Sequence, residues 1–138
     1  MRQLPRFLTW AALAAPVFFL LAAGDLALRS REALQEAERY EFWRDNPAAK
    51  ADWLTNAGGG RQPGTGREAV LRTAEKEFLM SESSAKMAYI WYKTAAEDFR
   101  LPFNPWAGEA RKRLPAALAA WRAELAADSI KAEPWMTE

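Results

Sequence analysis

The feature that most constrains this chain is the run FLTWAALAAPVFFLLAAG, from Phe7 to Gly24, which holds no charged side chain. As a helix, about 18 residues cover roughly 27 Å, close to the hydrocarbon thickness of a bilayer. The sequence beyond it is polar enough for water. The same residues satisfy a secretory leader: Arg2 and Arg6 supply a basic start, and Ala22-Ala23-Gly24 precede a cut before Asp25. The retained anchor is the expectation carried forward. Arg2 and Arg6 have no acid on their side, which favours a cytoplasmic N-terminus and a periplasmic C-terminal part in a bacterial inner membrane. Pro16 falls mid-span, beside Ala11, Ala12, Ala14 and Ala15, a setting that suits a kinked helix packed on another.

Alanine supplies roughly a fifth of the residues and β-branched side chains are few. The expected fold class is all-α. One N-terminal transmembrane helix is followed by a small extramembrane helical domain of about four helices. The segments are a basic tail over 1–6, a transmembrane helix over 7–28 and membrane-proximal helices over 29–57. A Gly-rich loop over 58–66, a helical domain over 67–128 and an extended tail over 129–138 complete the chain.

Sequence punctuation supports these divisions. No breaker stands between Asp25 and Arg44, so the first helix is free to continue past the membrane. Asn46-Pro47 and Asn104-Pro105 each pair a capping side chain with a proline suited to the first helical position. Thr65-Gly66-Arg67-Glu68 has the form of a capping box. Residues 85–99 are apolar on two sides, with Tyr89, Tyr92 and Ala96 on one and Met87, Ile90 and Trp91 on another, so two neighbours must cover them. Leu114, Leu118, Trp121 and Leu125 form a narrow stripe on a final helix starting at Pro105 or Pro115. The pair Ala88–Pro102 and Trp106–Leu125 resembles one tetratricopeptide-type hairpin. The repeat's full pattern and a second copy are missing, so no family is assigned.

Composition removes whole classes of chemistry. With no cysteine and no histidine there are no disulfides, thiolate or imidazole metal ligands, haem attachment sites or imidazole bases. No cofactor is expected. Setting aside Arg2 and Arg6 leaves 17 basic against 18 acidic side chains, too even for a nucleic-acid surface. Arg111-Lys112-Arg113 reads as a solvated helix face. Ser83-Ser84-Ala85-Lys86 matches a serine-nucleophile spacing but lacks its companion motifs, and helix capping explains the serines. GGRQPGT, residues 59–65, lacks the lysine of a phosphate loop. Carboxylate pairs such as Glu97-Asp98 and Glu36-Glu41 read as solvated faces.

Seven tryptophans in 138 residues are many, and tryptophan is favoured where one protein anchors on another. Trp43, Trp53, Trp91, Trp106, Trp121 and Trp135 are the candidate interface residues. The expected role is that of a non-catalytic, single-pass accessory subunit of a multi-subunit integral membrane complex. By analogy, a bacterial respiratory or photosynthetic electron-transfer assembly is the leading setting. Its partners would be other integral membrane subunits and membrane lipid, in a hetero-oligomer, with no nucleic acid. The alternative is a membrane-tethered helical interaction module or assembly factor that engages clients transiently through an exposed groove.

Overall fold

The computed structural model describes residues 6–56, 66–99, 101–128 and 130. They are all helical in their regular elements: α1 (Arg6–Asp45), α2 (Pro47–Asn56), α3 (Arg67–Ser81), α4 (Ser84–Glu97) and α5 (Pro105–Ala127). The first helix does not stop at the membrane end of its apolar run. It continues for 40 residues, about 60 Å, with Pro16 inside it. The apolar run and the polar stretch after it are therefore one helix, and the boundary expected near residue 28 brings no break in the backbone.

The lower part of α1 is long and apolar enough to cross a membrane. None of its apolar window is buried within the chain, and Leu13, Val17, Phe18, Phe19 and Leu20 all stand exposed. From Ser30 onward the same helix enters a core. Ser30, Ala33, Leu34, Ala37 and Trp43 are buried there.

That core is a three-helix bundle made by the upper part of α1, α4 and α5. The centre is α4, with Ala85, Ala88, Tyr89, Tyr92, Ala95 and Ala96 buried between its two neighbours. Helices α1 and α5 both pack on it, yet of the expected second apolar side Ile90 stays exposed and Met87 and Trp91 are only half-buried. Alanine dominates the seams: Ala37, Ala95 and Ala110 have no exposed surface. Small side chains at the crossings let helix axes approach closely, at the short end of the usual 8–10 Å range.

The neighbours of α4 both run antiparallel to it. Ser30 Oγ, low on α1, donates to the carbonyl of Ala95 near the end of α4 at 3.2 Å. Arg111, early in α5, donates to the Ala96 carbonyl at 3.2 Å. Further up, Tyr89 stacks on Trp121 with ring centroids 5.4 Å apart. The α4–α5 turn therefore lies at the end of the bundle nearest the apolar span.

Local signals account for most helix ends. Pro105 opens α5, and Asn104 Oδ1 accepts from the N–H groups of Trp106 and Ala107. α5 then runs through Pro115 without ending. Ser83 Oγ accepts from the Lys86 N–H and caps α4, which gives the S-x-x-K serine its structural place. Two ends differ from expectation. Asn46 does precede the Pro47 start of α2, but its side-chain amide donates back to the Phe42 carbonyl and so serves the end of α1. Helix α3 begins after Gly66, at φ 75°, with no side-chain cap bond, while Thr65 of the supposed capping box lies outside the described residues.

Candidate functional site: aromatic and apolar docking surfaces

Three surfaces on this scaffold carry features that a packed core does not require. The first lies where α1 meets α2. Tyr40 meets Trp43 edge-on at 5.1 Å between centroids, and Trp43 meets Trp53 at 5.0 Å. The Arg39 guanidinium sits 5.9 Å from the Trp43 centroid and 5.3 Å from that of Trp53. Trp43 is buried, whereas Trp53 remains 44 % exposed. The result is a rigid indole face backed by a cation, the kind of large, low-entropy surface that anchors interfaces.

Lys50 holds this corner to the rest of the domain. Its ammonium donates to the Glu82 carbonyl at 2.7 Å across the α3–α4 junction. Burial lowers its pKa, opposed by the charges of Glu82 and Glu124.

The second surface is α3. It has no buried residue, and among the described helices it packs against α2 alone. Lys76 Nζ donates to Thr55 Oγ1 at 2.8 Å across that contact. Val70, Leu71 and Phe78 on it are all more than half exposed. The described residues supply no cover for them.

The third is a groove of about 750 Å³ between α4 and α5, on the side away from α1. The stacked Tyr89 and Trp121 form its floor, with Ile90 and Leu125 beside them. Lys86 and Lys93 edge it on α4, Glu124 and Asp128 on α5. A peptide with apolar anchors and mixed charge matches that lining.

The tryptophans divide between core and surface. Trp43 and Trp121 are core residues, and Trp91 is half-buried against the core, its buried indole N–H without a hydrogen-bond partner among the described residues. Trp53 and Trp106 reach the surface, Trp106 under the Arg31 guanidinium at 5.5 Å. Trp135, like residues 131–138 of the tail and residues 57–65 of the Gly-rich loop, lies outside the described residues.

Sequence reasoning missed a polar cluster inside the bundle. Tyr92 Oη donates to Glu41 Oε2 at 2.5 Å, and Arg113 reaches the Tyr92 hydroxyl at 3.4 Å. Arg113 also lies 3.1 Å from both Glu38 and Glu109. Burial, then the bond to Glu41, pushes the Tyr92 phenol up to about 12. The hydrogen bonds from Arg113 and Lys112 hold the Glu109 carboxyl below its ordinary range. The basic run lies on a solvated face as expected, with side-chain exposure of 77 % at Lys112 and 41 % at Arg113, but neither Arg113 nor Glu41 is unpaired there. Both are ties between helices. Only a pattern joining residues 51 and 21 apart in sequence could have revealed them.

Among the described residues, no three carboxylates gather at metal-binding distance. No family model, no curated protein and no solved structure matches this chain. The class defined by the fold is therefore the statement that stands: an all-helical protein with one membrane-length apolar helix continuous with a three-helix bundle.

Proposed function

We propose that this protein is a non-catalytic, single-span accessory subunit of a multi-subunit integral membrane complex. Respiratory and photosynthetic electron-transfer assemblies are the first complexes to search. The observation that carries the reading is α3, a 15-residue helix that buries none of its own residues while Val70, Leu71 and Phe78 face outward. A helix of that length is marginal alone in water and gains its stability from covering an amphipathic face. A neighbouring subunit is the cover proposed here. The span of α1 supplies the attachment: anchoring both partners in one membrane raises their effective concentration, so modest contacts suffice. The proposed orientation has the N-terminus in the cytoplasm and the bundle in the periplasm, from Arg2 and Arg6.

A second reading draws support from the α4–α5 groove, whose shape and lining suit transient capture of an apolar peptide by a tethered module. Mild solubilisation, native electrophoresis and mass spectrometry separate the two. The subunit reading expects this chain in a large band at fixed stoichiometry, lost when Val70 and Phe78 are both replaced by serine. A solitary small band contradicts it, and substoichiometric recovery with varied proteins favours the module.

A further inference from the structure

From the α4–α5 turn we infer that the bundle has a second contact with the bilayer: Leu101, Pro102, Phe103 and Trp106 seat in the lipid interface beside the α1 span. This inference rests on the reading of α1 as a membrane span. Its occupant is the interfacial layer of the lipid, and the placement follows from heights along α1.

The continuous run of exposed large apolar side chains on α1 ends at Leu28, with Phe42 standing apart far along the same helix, and Ser30 is already fully buried in the bundle. Two residues along a helix are about 3 Å. The hydrogen bond from Ser30 to Ala95 puts the end of α4 at that same height. From there α4 continues to Glu97 in the direction of the membrane, and the turn follows. On its return, the first turn of α5 brings the Trp106 ring to 5.5 Å from the Arg31 guanidinium, one helical turn above Leu28. The turn is thus level with the end of the apolar surface, and the two exposed apolar regions adjoin.

The chemistry of the turn suits that position. Asn104 is its polar side chain among residues 101–106, and both ends of that side chain are used within the fold. Oδ1 accepts from Trp106 and Ala107, and Nδ2 donates to the Phe99 carbonyl at 3.3 Å. What faces outward is leucine, proline and aromatic rings. Phe103 is 101 % exposed. It also holds φ at 67°, a left-handed conformation that is strained for a bulky residue. No packing within the described chain offsets that strain. At the same level Asp25 pairs with Arg29 at 2.8 Å and Arg31 covers Trp106, while Glu97 and Asp98 stand exposed at the end of α4. Aromatic side chains with an arginine above them match the girdle that membrane proteins place at the lipid–water boundary. A second foot would fix the tilt and rotation of the bundle, and so the direction in which α3 and the groove are presented.

The absence of native cysteine makes the test direct. The full chain is reconstituted in phosphatidylethanolamine–phosphatidylglycerol vesicles with one nitroxide label, at Phe103→Cys, Pro102→Cys, Phe19→Cys or Ala126→Cys. Collisions with oxygen, which concentrates in lipid, are compared with collisions with a water-soluble nickel chelate. The inference expects labels at 103 and 102 to lose nickel accessibility relative to 126 and to gain oxygen accessibility, though less than at 19. If 103 and 102 behave like 126 while 19 remains in lipid, the second contact is wrong and the span stands. If 19 also behaves like 126, the span reading fails and takes this inference with it. Shielding of 103 and 102 from both reagents would mark a protein chain over the turn and overturn lipid seating.

Discussion

Tyr92 on α4 donates a hydrogen bond from its hydroxyl to Glu41 on α1 at 2.5 Å, with Arg113 of α5 held against the same hydroxyl at 3.4 Å. One phenol thus joins all three helices of the bundle, and it has no exposed surface of its own. Tyr92→Phe keeps the ring and removes the tie. A buried hydrogen bond to a charged group contributes about 1.5–3 kcal/mol. The variant is expected to lose stability in that range, read as a lower denaturant midpoint for the full chain in detergent with an unchanged helical signal.

The same residue sets a pH dependence. The protonated phenol is the neutral form, and burial with the Glu41 bond raises its folded value from 10.0 to about 12. The folded chain therefore holds this proton more tightly than the unfolded chain. The contribution is fully present below about pH 10 and is lost as pH rises through 12. Denaturant midpoints measured across that window should fall more steeply for the wild type than for Tyr92→Phe. Equal slopes would mean the phenol is not so held.

Tight seams predict intolerance of bulk. Ala95 has no exposed surface and its carbonyl receives Ser30 from the facing helix. Ala95→Leu is expected to cost about 1–3 kcal/mol through overpacking, against a negligible effect for Ala126→Leu on the exposed end of α5. Thermal unfolding of both variants in the same detergent checks the contrast.

Two tryptophans should separate folding from docking. Trp121 is buried and stacked on Tyr89, so Trp121→Ala is expected to lose about 3–5 kcal/mol. Trp53 is partly exposed at the rim of the Arg39 stack, so Trp53→Ala is expected to lose about 1 kcal/mol or less. Its larger effect should fall on recovery of the intact complex. Stability and co-purification measured side by side decide the assignment.

Helix positions were legible because local rules act within a few residues: Pro47 and Pro105 open their helices, and Asn104 and Ser83 cap theirs, where the backbone needs them. The apolar run of α1 and the side of α4 that holds Tyr89, Tyr92 and Ala96 were legible for the same reason. Alanine hid the rest. Ala95, Ala110 and Ala117 form much of the core, yet alanine is also the ordinary filler of any helix, so no periodic signal distinguishes them. Trp121 was legible from its place on the Leu114–Leu125 stripe, whereas the direction of α5 against α4 is what sends Trp106 toward Arg31 at the surface. Arg113, in a run of three basic residues, is held by Glu38, Glu109 and Tyr92, partners that only the tertiary arrangement assembles.

The central claim is that α1 remains attached and embedded in lipid. Alkaline washing of native membranes, followed by N-terminal and intact-mass analysis of this chain in pellet and supernatant, tests it most directly. The account predicts that the chain stays in the pellet with residues 7–24 present. A chain starting at Asp25 and released into the supernatant would contradict it.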